Sequence, residues 1–184
     1  MNKRGKGKTG QVWVETVIYT LIAFVMIGLV LSYAKPVIEK MQDQAILEQS
    51  AEMMKSVDFK IYDMMGEGNT RVLSMAIKRG ELIIDSTTDR LIFKMDSSYA
   101  FTEPGITGPG IEVNDGSLVE STTKKSGYYT VTLILDYSLK YNITYNGEDQ
   151  EKSISKSSIP YNILVSNKGP DEGGGKTIID FKIL

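Results

Sequence analysis

Apolar and polar positions change their rhythm twice along the chain. From Thr16 to Ala34 no residue carries a charge. At about 1.5 Å per residue that run crosses most of a bilayer's ~30 Å hydrocarbon core as a helix. After Pro36 the apolar residues recur at gaps of three and four: Ile38, Met41, Ala45, then Leu47, Ala51, Met54, Val57, Ile61 and Met65. The residues between them, Glu39, Asp43, Glu48, Glu52 and Lys55 among others, are polar. This spacing predicts an amphipathic helix with one stripe to bury, closed by the turn residues Gly66-Glu67-Gly68-Asn69. Allowing a kink at Pro36, the element 11–66 is about 55 residues and on the order of 80 Å long.

Beyond Asn69 the period becomes two. Val72–Lys78, Glu81–Ile84 and Arg90–Met95 read as short strands, the last two joined by a hairpin loop at Asp85–Asp89. Residues 103–117 are rich in glycine and proline and read as a loop with a tight turn at Asn114-Asp115-Gly116. From Tyr129 to Tyr145 the alternation is strongest, with Tyr, Val, Leu and Ile at odd positions and mostly Thr, Asp, Ser, Lys and Asn at even ones. That length exceeds a normal strand, so a bend or bulge is expected near Asp136–Lys140. Asn146-Gly147 then turns the chain into a polar edge strand, 151–158, and Ile159–Ser166 and Thr177–Leu184 complete the sheets around a glycine-rich loop. The fold class expected is α+β: a long N-terminal helix, apolar over 11–35 and amphipathic over 36–66, followed by an antiparallel β-sandwich-like domain over 67–184.

Composition narrows the chemistry. The chain has no histidine and no cysteine, which removes Ser-His-Asp and Cys-His catalysis, imidazole and thiolate metal ligation, and disulfide stapling. No catalytic, cofactor-binding or metal-binding residues are assigned, and the chain reads as a non-enzyme without a cofactor. Outside its first ten residues the chain carries 17 basic and 23 acidic side chains, since Lys3, Arg4, Lys6 and Lys8 account for four of the 21 basic ones. A mildly acidic body argues against nucleic acid as a partner.

The basic segment 1–10 before an apolar run places the N-terminus on the cytoplasmic side of a membrane and the rest outside. One carboxylate, Glu15, stands at the start of that run. A charge so placed is costly in lipid and marks a functional position.

The leader ending at Gly10, the Gln11-Val12-Trp13-Val14-Glu15 start and the apolar helix behind it resemble the class III signal sequence of archaeal type IV pilins. The resemblance covers residues 1–34 by motif and the remainder by layout. It implies cleavage between Gly10 and Gln11 by a membrane-embedded prepilin peptidase. It further implies assembly by an ATPase and a membrane platform into an extracellular filament of identical subunits. Cleavage there would remove the four basic residues and create an α-amino group at Gln11, cationic below a pKa of about 8. Glu15 of one subunit could then pair with the Gln11 amine of its neighbour, and an unpaired charge in apolar surroundings would penalise every other register.

Two other readings of this segment stand beside it. An uncut anchor would leave a membrane-tethered surface module for binding or adhesion that does not polymerise. A secretory signal would end at Ser32-Tyr33-Ala34, whose small residues suit such a site. Elsewhere, Asn142-Ile143-Thr144 is the chain's N-x-S/T sequon, making Asn142 a candidate glycan carrier. Tyr129, Tyr137, Tyr141 and Tyr145 share an apolar face and read as sheet packing. The pairs Met53-Met54 and Met64-Met65 read as packing between neighbouring helices.

Overall fold

The computed structural model describes residues 8–64, 66–105, 108, 110–171 and 175–184, with backbone alone at 8–11. Most of the leader, Met65 and the Glu172-Gly173-Gly174 stretch of the glycine loop lie outside the described residues. Among the described residues one long helix is followed by ten strands, the α+β order that the change of period predicts. The chain divides into two compact units, Met1–Lys40 and Met41–Leu184.

The helix α1 runs Lys8–Tyr62, with Pro36 inside it and helical residues on both sides. Within the first unit its apolar side chains lie open. Within the second, Leu47, Ala51, Met54, Val57 and Ile61 are buried at 5% exposure or less, the stripe that gaps of three and four dictate. Ile38, Met41 and Ala45, predicted to belong to that stripe, are exposed instead. The helix also stops four residues before Gly66. Met64 N–H bonds back to the Ile61 carbonyl at 3.2 Å, and the buried Asn167 donates its amide to the Met64 carbonyl at 3.0 Å. Met64 is thereby turned into the core at 4% exposure, and a tertiary partner rather than a glycine ends the helix.

Two sheets follow. One holds β1 (Thr70–Met75), β9 (Tyr161–Pro170), β10 (Thr177–Ile183) and β7 (Tyr141–Tyr145), in that order. The other runs β4 (Val113–Asp115), β5 (Leu118–Lys124), β6 (Tyr129–Asp136), β3 (Arg90–Ser97), β2 (Glu81–Asp85) and β8 (Glu151–Ser155). Every pair is antiparallel except β7 with β10, which is parallel. Inward positions alternate as the period demands: Leu91, Phe93 and Met95 on β3 and Val131, Leu133 and Leu135 on β6 are all at 2% or less. They join Ile163, Val165, Ile179 and Phe181 from the other sheet and the helix stripe in one core.

The long alternation at 129–145 resolves differently from a bent strand. The chain leaves the six-stranded sheet at Asp136, makes a turn over 137–140 in which Lys140 and Tyr141 N–H both bond to the Tyr137 carbonyl, and enters the four-stranded sheet as β7. A period of two is shared by both strands, so the pattern alone does not reveal that they belong to different layers. The methionine pairs are a second correction: Met54 and Met64 fill the space between this helix and the sheets of the same chain, not gaps between neighbouring helices. A short strand, β4, also forms inside the segment expected to be loop, and the turn falls at Gly116-Ser117 with Gly116 at φ 70°. Asn146-Gly147 turns as predicted, both residues at positive φ (53° and 79°).

Candidate functional site

The residues singled out in the first unit lie on one helix. Gly10 and Gln11 are helical, and Glu15 follows Gln11 by four residues, which places the two positions on the same face one turn apart. The threonine and serine hydroxyls of the apolar run are satisfied by its own backbone: Thr16 donates to the Val12 carbonyl at 2.9 Å, Thr20 to Thr16 at 2.8 Å and Ser32 to Leu29 at 2.9 Å. Glu15 is therefore the single charged side chain from Val12 to Ala34. The helix is a candidate membrane anchor, long and apolar enough to cross a bilayer, and its most apolar 18-residue window is 0% buried. Gly28 has open space where a Cβ would stand.

Asn142 is half-buried on β7. The hydroxyl of Thr144, the third residue of its sequon, is buried and donates to Asp180 at 2.9 Å.

Within the second unit the carboxylates are the groups that sequence reasoning missed. Asp43, predicted to sit on the polar face, is 2% exposed. It pairs with Arg79 and accepts the backbone N–H and hydroxyl of Ser98 at 2.7 and 2.9 Å. Its position four residues before Leu47 put it on the buried stripe, and that spacing was the available signal. Asp89, at φ 55°, accepts the Ile143 N–H at 2.8 Å and pairs with Lys176 at 3.0 Å, so a turn of one sheet blocks an edge donor of the other.

The helix end carries a cleft of about 380 Å³ lined by Asp58, Phe59, Tyr62, Ser117, Tyr137 and Tyr141, among others. Asp58 accepts the hydroxyl of Ser117 at 2.5 Å and of Tyr137 at 3.0 Å. Burial, reinforced by the Asp58 charge, pushes the Tyr137 phenol well above its ordinary value, so it stays protonated as a donor. Lys140 stands 5.6 Å from the centre of the Tyr62 ring, and Phe59, Tyr62 and Leu139 are 69%, 60% and 94% exposed. Beside the cleft, Lys55 pairs with Asp115. Burial raises the Glu120 carboxyl against the opposing pull of Lys55, with Asp115 adding to the rise.

These carboxylates accept hydrogen bonds from hydroxyls and backbone N–H groups of the same domain. Among the described residues no group of three or more His, Cys, Asp or Glu side chains is arranged to hold a metal ion. Comparisons with protein-family models, curated proteins and solved structures find no match.

Proposed function

We propose that this chain is the structural subunit of an extracellular filament of the type IV pilus kind. On this reading it is made as a membrane precursor with a cytoplasmic N-terminus, cut after Gly10 by a prepilin peptidase, and polymerised through the helix that then begins at Gln11. The observation that carries the reading is the exposed apolar run. Trp13, Phe24, Leu29 and Val30 are 71%, 65%, 63% and 62% exposed, while the second unit closes a core of its own. Apolar surface on this scale requires lipid or other copies of itself as cover.

Glu15 supplies register. Moving leucine and valine from lipid to a helix bundle gains little, because lipid tails are as apolar as the side chains. Packing and the pairing of Glu15 with the Gln11 amine of a neighbour then decide which stagger is stable, and the assembly ATPase with its membrane platform drives extraction. The partners are identical subunits, the peptidase and that machinery.

A second reading, a membrane-anchored surface module that does not polymerise, is favoured by the aromatic cleft at Tyr62 and Tyr141. The N-terminal sequence and intact mass of the protein from membranes and from shed filaments separate the two. A start at Gln11 in sheared material supports the filament subunit, with added mass pointing to a glycan at Asn142. An intact leader, with no sheared material, supports the anchored module, and a start at Lys35 sinks both.

A further inference from the structure

The antiparallel order of the six-stranded sheet sends alternate connections to opposite ends, and the two ends carry opposite charge. At one end, where Lys124 pairs with Tyr129 and Glu81 with Ser155, the connections present Lys78, Arg79, Lys124, Lys125 and Lys156, all exposed. Of these, Arg79 is neutralised by Asp43, and the strand ends there add Lys94 against Glu81 and Asp96, which leaves this end with more bases than acids. At the other end, where Asp85 faces both Arg90 and Glu151, acids outnumber bases, although the 137–140 turn carries Lys140. Asp115 lies in the β4–β5 hairpin, Asp136 closes β6, Asp85 and Asp89 flank the β2–β3 turn, and exposed Glu148, Asp149 and Glu151 lead into β8. Three cations at that end are paired, Arg90 with Asp136, Lys176 with Asp89 and Lys55 with Asp115, and Lys140 stands over the Tyr62 ring. Each end also offers apolar side chains to water, Tyr128 (42%) and Ile159 (73%) at the basic end and Leu139 (94%) at the acidic end.

We propose that these two ends are the two halves of one heterologous contact between copies of this chain, the basic end of one β-domain seated on the acidic end of the next. The occupant is a second copy because the charge that would complement each end is present at the opposite end of the same sheet, and both ends offer apolar side chains to bury. A contact between different patches on identical subunits does not close on itself unless the rotation makes a ring, and repetition builds an open line. Like-charge ends repel, so charge fixes polarity, while the apolar side chains supply the area buried. The inference rests on the filament reading and adds a contact outside the N-terminal helix.

The chain's lack of cysteine makes the test direct. The full chain carrying both Ser126→Cys (basic end) and Gln150→Cys (acidic end) is treated with a short bismaleimide, in membranes and in sheared filaments. The double variant should give a ladder of trimers and longer species, and neither single variant should give more than traces of dimer. Lys124→Glu with Lys125→Glu should lower the ladder about tenfold, and adding Glu148→Lys with Asp149→Lys should restore it to within about twofold. Filaments that form without a ladder overturn this contact and leave the filament reading intact; dimers from a single variant overturn it by showing a symmetric contact. Absence of both filaments and ladder overturns both. Protection of the Ser126→Cys thiol by phosphatidylglycerol vesicles, without a ladder, would assign the basic end to lipid and also overturn the proposal.

Discussion

Two stretches of one helix, one apolar throughout and one amphipathic, treat their apolar side chains in opposite ways. Between Val12 and Ala34 the apolar side chains stand around the whole helix and are exposed, Tyr33 at 77% and Leu21 at 59%. Between Leu47 and Ile61 the stripe of Leu47, Ala51, Met54, Val57 and Ile61 is buried to 5% or less, and Phe59, off the stripe, is 69% exposed. The difference lies in pattern. A stripe is matched by the inner faces of two sheets from the same chain, whereas a helix apolar all round has more surface than one neighbour covers. The first region is thus specified for an environment and the second for a fold.

The sharpest way to break this contrast is one truncation in each region. Phe93 is fully buried, and Phe93→Ala should cost about 3–5 kcal/mol of stability. Phe24→Ala, at 65% exposure, should leave the thermal unfolding of the β-domain unmoved. Equal shifts in calorimetry would show that the two regions are not independent. The two acidic residues of the helix that stand out by position make a second pair. Glu15→Ala should leave processing and membrane insertion intact and remove filaments from electron micrographs, by a factor of about 100 or more if an unpaired register costs several kcal/mol. Unchanged filament counts would end the register role.

Asp43→Ala should cost about 2 kcal/mol, the loss of a buried acceptor with three donors, moderated because Arg79 reaches water. Glu48→Ala, exposed one turn further on, should stay within about 0.5 kcal/mol. Urea unfolding of the two variants measures the difference.

The smallest effects expected are pH-dependent. Burial works against ionisation of Asp85 and Asp136, but hydrogen bonds from Thr87 and Thr88 to the first, and from Ser138 and Arg90 to the second, outweigh it and hold both below the usual range. A depressed folded value means that their contribution is complete above the unfolded value of about 3.9 and is lost as pH falls through the folded one. Asp136→Asn should therefore flatten the acid limb of the stability curve below about pH 4. Glu120 has the opposite sign. Its raised value makes the charged form unfavourable in the fold, so Glu120→Gln should raise the melting temperature at pH 7, with the gain vanishing below an unfolded value of about 4.3. A gain that persists in acid would show that packing, not charge, is responsible.

Much of the architecture was legible because it follows from periods. The apolar run, the stripe at 47–61, the β2–β3 hairpin and the Asn146-Gly147 turn are consequences of residues within one or two turns or strands of each other. Asp43 and the crossover at 137–140 were not. Asp43 reads as polar and hence outward until Arg79 and Ser98, distant in sequence, are brought to it. Tyr137 reads as one more odd position of a strand until Asp58 and Asp89 fix it at the point where the chain changes sheets.

By itself, then, the sequence determined the helix, its division into an apolar and an amphipathic part, the strands and the side of each that is buried, because side-chain direction repeats every 3.6 or 2 residues whatever lies beyond. Tertiary structure alone decided which strands pair, that β7 runs parallel to β10, which carboxylates are buried, and that bases outnumber acids at one end of the six-stranded sheet and acids outnumber bases at the other. Those outcomes depend on contacts between residues tens of positions apart, and a local period carries no information about them.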